Sequence, residues 1–144
     1  MQKACLDLQE RFDADVNMLL FMFHLAGQGK QLSEAEIERI DQLVHPWRSG
    51  VIHFIRSARH NLKQPNDHLT TDEKSEFKSQ LMATELQAEK LQQTMLETLE
   101  IEWTSASPPM AAQQNIDAYA KLIACQKHDL SELLNAFKNK YKLS

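Results

Sequence analysis

The chain reads as an all-α protein, and three observations carry that reading. Only three glycines interrupt its 144 residues, Leu, Ala, Glu, Gln and Lys are abundant, and apolar positions recur at helical spacing between recognisable caps. Straight-chain side chains lose little rotamer freedom in a helix, whereas an interior glycine costs about 1 kcal/mol. The length suits one domain with a core of its own. The predicted architecture is a helical bundle with a long antiparallel C-terminal helical hairpin. It divides into a compact short-helix part over 1–63 and the hairpin over 71–144.

The first segment, 4–12, offers Leu6, Leu8 and Phe12 as apolar positions and has no capping residue before it. Asp13 then stands where an N-cap belongs, and Asp15 suits the positive end of the helix dipole. The helix predicted over 14–26 is apolar on almost every side, which requires other helices around it. It stops at Gly27, Gln28 and Gly29. Asn17 and His24 lie seven residues apart on one face, with Asp13 near them, so Asp13, Asp15, Asn17 and His24 form a candidate buried polar cluster. Asp15 has Arg48 as a conceivable partner in the same scheme.

Ser33 followed by Glu36 makes a capping box, with Leu32 and Ile37 as its hydrophobic staple. The stripe of the short helix after it is Ile37, Ile40, Leu43 and Val44. His45-Pro46 ends that helix, because the residue before proline is pushed out of the α region. Pro46 suits the first turn of a new helix reaching about Lys63, with Val51, Phe54, Ile55, Ala58 and Leu62 on its apolar side. Thr70 and Glu73 form a second capping box, opening a helix over 71–103 with Phe77, Leu81, Leu86, Leu91, Met95 and Leu99 as its stripe. Such a helix is about 50 Å long. Ser107 and Pro108 start the last helix, in which Ile116, Tyr119, Ile123, Leu130, Leu134, Phe137 and Tyr141 recur at near-heptad spacing. Two long helices joined by a short connection fold back as a hairpin.

A formal net charge of −4 argues against a surface that coats nucleic acid or anionic membrane throughout. The charged N-terminus lacks a signal-peptide pattern and the longest apolar run, 18–23, is too short for a bilayer; the expectation is a cytoplasmic protein with no membrane contact. Cys5 and Cys125 show no metal-ligand spacing and read as reduced, buried thiols. No metal ligands, cofactor motif or catalytic residues stand out: there is no Glu-x-x-His pair, no Gly-x-Ser-x-Gly elbow and no histidine near either cysteine that would activate it. The sequence sets no oligomeric state.

One surface feature does stand out. Arg48, Arg56, Arg59 and Lys63 fall within roughly 80° of one another at helical pitch, with no acidic residue between them, Trp47 at one end, and His45, His53 and His60 near the edge. Arginines in a row suit carboxylates or phosphates. The acidic stretches around Glu34–Asp41 and Glu85–Glu89 are alternatives that meet the strip inside the fold. The expectation is a non-enzymatic module with a protein partner. A nucleic-acid-associated factor using the strip is the first alternative, and an enzyme or ligand-binding bundle with a pocket at Asn17 and His24 the second.

Cys5-Leu6-x-Leu8-Gln9, the run Ala14-Asp15-Val16-Asn17-Met18-Leu19-Leu20-Phe21, and Pro46-Trp47-Arg48 together resemble a proteobacterial family of conserved hypothetical proteins, a domain of unknown function. The similarity continues through Val51, Arg56, Arg59, Leu62 and Lys63, and more weakly into Glu85-Leu86-x-Ala88-Glu89. The resemblance implies no activity, and no catalytic residue comes with it.

Overall fold

A computed structural model describes residues 15–123. The helix read over 4–12, Asp13, both cysteines and the apolar repeat beyond Ile123 lie outside those residues. The described chain is mainly helical, with one two-stranded sheet, as an all-α bundle requires. Its elements in order are α1 (Val16–Gly27), β1 (Lys30–Gln31), α2 (Glu34–Trp47), a π-helical turn (Arg48–Ile52), α3 (His53–Asn61), α4 (Thr71–Glu97), β2 (Thr104–Ser105) and α5 (Pro108–Leu122). Among the described residues no helix is long and apolar enough to cross a membrane. The chain forms two compact units, one from Met1–Asp41 with Glu100–Ser144, the other from Gln42–Leu99.

In the first unit α5 packs along α1. Ala111, Ala112, Ala118 and Ala120 are all buried, and small side chains let two helix axes approach closely. Ile116 and Tyr119 fill the space beside Met18, Leu19, Met22 and the other buried residues of α1. Asp15, rather than Asp13, is the N-cap of α1: its carboxylate accepts from the N–H groups of Asn17 at 3.0 Å and Met18 at 3.3 Å. The Asp15 N–H donates to the Tyr119 hydroxyl at 2.9 Å, which ties the start of α1 to α5.

After α1 the chain turns at Gly29, whose φ of +75° is in the left-handed region that favours glycine. A Cβ there would stand 3.0 Å from the Ala106 carbonyl oxygen, and the Gly29 carbonyl accepts from Ala106 N–H. The close approach brings β1 against β2, antiparallel, with Lys30 opposite Ser105 and Gln31 opposite Thr104. Asn115, fully buried on α5, fastens β1 and the residue after it: Oδ1 accepts from Leu32 N–H at 2.8 Å and Nδ2 donates to the Lys30 carbonyl at 3.2 Å.

The Ser33 hydroxyl caps α2 by accepting from Glu36 N–H at 3.1 Å. The Glu36 carboxylate does not return to the cap, so the box is half made. It is buried, pairs with Arg39, and accepts from Glu102 N–H at 2.6 Å, while Arg39 Nη2 donates to the Glu100 carbonyl at 2.9 Å. The Arg39 guanidinium holds the Glu36 carboxyl below its usual range, outweighing the opposite effect of burial, and the Glu102 N–H acts in the same direction as Arg39.

The second unit corrects one expected boundary. α2 does not end before Pro46 but runs through it to Trp47 and continues as the π turn into α3. Proline lacks the N–H that would bond one turn back and its ring crowds the preceding turn. The widening to i→i+5 bonds directly afterwards absorbs that mismatch without breaking the helix. α4 opens on the Thr70–Glu73 capping box with both bonds formed, the Glu73 N–H to Thr70 Oγ1 at 3.1 Å and the Thr70 N–H to Glu73 Oε1 at 3.0 Å. It ends at Glu97, shorter than predicted. Its buried stripe is Glu85, Ala88, Gln92 and Leu96, whereas Phe77, Leu86 and Leu91 from the predicted stripe are exposed.

Candidate functional site

The continuous rod of α2, π turn and α3 has two unlike faces in the second unit. The inner face meets α4. Trp47 Nε1–H donates to the Ala88 carbonyl at 2.9 Å. One turn earlier along α4, Glu85 receives Arg59 Nε at 2.7 Å and Arg56 Nε at 3.1 Å, and Arg56 Nη2 reaches Glu89 at 3.2 Å. The Glu85 side chain is 11% exposed, Arg59 22% and Arg56 27%. Burial pushes the Glu85 carboxyl up, but hydrogen bonds from Arg59 and Arg56 outweigh it and hold the group below its usual value; Glu85 in turn raises Arg59.

The predicted basic strip therefore divides. Arg56 and Arg59 turn inward onto the carboxylates of α4, and Trp47 is half-buried beside them. Lys63 is exposed just beyond the end of α3. Arg48 is half-buried, with Nη2 3.3 Å from His45 Nδ1; the other ring nitrogen of His45 lies 3.2 Å from Ser49 Oγ.

The outer face is apolar and open. Phe54, read from the sequence as a core residue, is 66% exposed, and Leu43 is 47% exposed. Pro46 and Gly50 are exposed as well. In an ordinary α-helix of roughly 3.6 residues per turn, positions four apart drift around the axis; the wider π turn takes more residues per turn and reduces that drift, so Pro46, Gly50 and Phe54 share one line. A side chain added at Gly50 meets nothing within 4 Å. The exposed ring of His53 stands edge-on to Phe54 at a centroid distance of 6.1 Å. Periodicity missed this face because a strict α register from Pro46 groups Phe54 with Ile55 and Val51, and the π turn changes the register.

The candidate polar cluster on α1 needs correction. His24 is exposed, 3.2 Å from Gln28 Nε2, Leu20 beside it is exposed, and Asn17 is half-buried. His24 and Leu20 face solvent instead of a closed pocket; of the expected cluster only Asp15 is buried among the described residues, and there it caps the helix. The buried amide that does organise the first unit is Asn115, which stands in the polar run Gln113-Gln114-Asn115 and so gave no sign of burial or of its two backbone partners. Near β2, Trp103 is exposed with the Lys30 ammonium 5.2 Å from its ring centroid.

Residues 1–96 match the family described as "Protein of unknown function (DUF2390)", and the chain belongs to that family. Neither the curated proteins nor the solved structures contain a match to the chain.

Proposed function

We propose that this family member is a non-enzymatic interaction module that engages another protein through the outer face of the π turn and α3. The single observation behind this reading is Phe54, two-thirds exposed in line with Pro46 and Gly50, on a helix whose opposite face is fastened to α4 by Trp47, Arg56 and Arg59. Burying a phenylalanine or leucine side chain is worth about 1.5–3 kcal/mol each, so Leu43 and Phe54 together supply enough apolar surface to anchor a contact. The helix beneath is held from behind and loses little freedom on binding, which favours affinity.

The arginine clamp weighs against the nucleic-acid alternative. Phosphate contacts need cations that face outward, and two of the four in the strip already serve carboxylates of α4. The test is affinity capture of the full chain from native lysate, with and without nuclease, wild type against Phe54→Asp. The expected result is a specific protein retained after nuclease treatment and lost with Phe54→Asp at unchanged far-ultraviolet circular dichroism. Capture that ignores the substitution, or that vanishes with nuclease, rejects the reading.

A further inference from the structure

We propose that the segment 44–62 is a two-register device. In one setting, the π turn, Arg56 and Arg59 lie on α4 and Phe54 is displayed; in the other, an unbroken α-helix, Phe54 turns inward and the basic side chains are displayed. The device goes beyond the interaction reading and holds whether or not a protein docks on Phe54.

Hydropathy and structure disagree over which side of α3 faces α4, and the disagreement has a definite size. Counted at about 100° per residue from the buried Val44, the residues Trp47, Val51, Phe54, Ile55, Ala58 and Leu62 gather within roughly 100° of one another, with Arg56, Arg59 and Lys63 roughly 100–160° from the middle of that stripe. The helix in the structure turns a different side inward. Ile52 is 3% exposed and Arg56 and Arg59 reach Glu85, while Phe54 is 66% exposed and Ala58 is exposed as well. The bond from His53 N–H to the Arg48 carbonyl spans five residues, and such a turn takes in one more residue than an α turn, which is worth about 100° of rotation. Rewinding Arg48–Ile52 as α-helix therefore turns α3 by about the angle that separates its basic side from its apolar stripe.

Each setting has gains the other lacks. The π turn gives Arg56 and Arg59 the carboxylates of Glu85 and Glu89, and it relieves the crowding that Pro46 brings. The unbroken helix gives one continuous apolar stripe, with Phe54 and Ala58 withdrawn from water. Gly50, in the middle of the turn, has no side chain to move, and nothing stands within 4 Å of where its Cβ would be. An element with two discrete packings of this kind can carry a signal. Because the settings expose different chemistry, a ligand on the apolar line withdraws the basic side, and a ligand on the basic side withdraws the apolar line.

Thiol reactivity separates the two settings. Ala58→Cys and Ile52→Cys are introduced one at a time into the full chain carrying Cys5→Ala and Cys125→Ala, and reaction with dithiobis(nitrobenzoate) is timed with the clamp intact and with Glu85→Gln plus Glu89→Gln. Releasing the clamp is expected to slow the thiol at position 58 about tenfold and to speed the one at position 52 about tenfold, a reciprocal change that simple loosening does not produce. Deleting Gly50 from the clamp-released chain removes the extra residue, so that an unbroken helix keeps the side seen in the structure inward; both rates are expected to return to those of the clamped chain.

Unchanged rates at both positions overturn the proposal, as do faster rates at both, which mean that α3 loosens without changing register. Failure of the Gly50 deletion to restore the rates overturns it too. If the doubly substituted chain loses its helical circular dichroism, Arg59→Gln, which leaves Glu85 its bond from Arg56, is read in its place against the same outcomes.

Discussion

Removing Glu85 tests whether the arginines of α3 belong to the fold. Exposed ion pairs contribute about 0–1 kcal/mol, and stripping one partner from a buried pair costs about 3–5 kcal/mol. The clamp lies between these limits, with the carboxylate nearly enclosed and both guanidiniums about a quarter exposed. Arg56 keeps Glu89 when Glu85 is lost, whereas Arg59 directs both Nε and Nη2 at Glu85, so Glu85→Ala is expected to cost about 2–3 kcal/mol and Glu85→Gln roughly half of that. Urea denaturation read by Trp47 fluorescence, in a Trp103→Phe background, reports on the unit concerned because Trp47 bonds to Ala88 one turn from Glu85.

The same group fixes a pH dependence. Its carboxyl is held below the usual 4.5 in the folded chain, so its contribution is complete above that value and is lost as pH falls through the lower folded pKa. The stability gap between wild type and Glu85→Gln should be constant at neutral pH and close on acidification below about 4.5. A loss under about 0.5 kcal/mol for Glu85→Ala, the range of an exposed pair, would refute the clamp and return Arg56 and Arg59 to the surface.

Two substitutions in the first unit probe contacts that fasten β1. Asn115→Ala leaves the Leu32 N–H buried without its acceptor and should cost about 2–4 kcal/mol by thermal or urea denaturation; a change below about 1 kcal/mol would show that neither backbone bond matters. Gly29→Ala forces an L residue into the left-handed region against the Ala106 oxygen, for an expected loss of about 1–3 kcal/mol, and an Ala variant of unchanged stability would contradict the turn geometry.

Caps were the legible part of the sequence. Thr70 with Glu73 located the start of α4 to the residue, and Ser33 located that of α2, because a side-chain oxygen three residues before a free N–H is a local arrangement. Leu32 and Ile37, expected to flank that start, are both buried. Partners were less legible. Hydropathy placed Leu86 and Leu91 inward, but the buried stripe of α4 carries Glu85 and Gln92, since Arg56 and Arg59 arrive from a different helix to meet the carboxylate. Spacing alone names a face and leaves open what covers it.

The same limit applies to the candidate site. The cluster of Arg48, Arg56, Arg59 and Lys63 was visible as a pattern, and Glu85–Glu89 was visible as a countercharge, yet which of the four turn inward depends on the phase of the helix. That phase is set by the π turn after Pro46, where a local rule predicts a break. Phe54 shared in the error. Asn17 and His24 were grouped by period, but His24 faces solvent beside Gln28 while Asn17 is half-buried, and period alone does not say which positions of a face are covered.

The central claim is that the outer face around Phe54 recognises a protein. Quantitative mass spectrometry of nuclease-treated lysate captured on wild type and on Phe54→Asp tests it most directly. A specific protein depleted at least tenfold by the substitution, with the circular dichroism of the two chains superimposable, is the predicted result. Identical captured sets from the two correctly folded chains would contradict it.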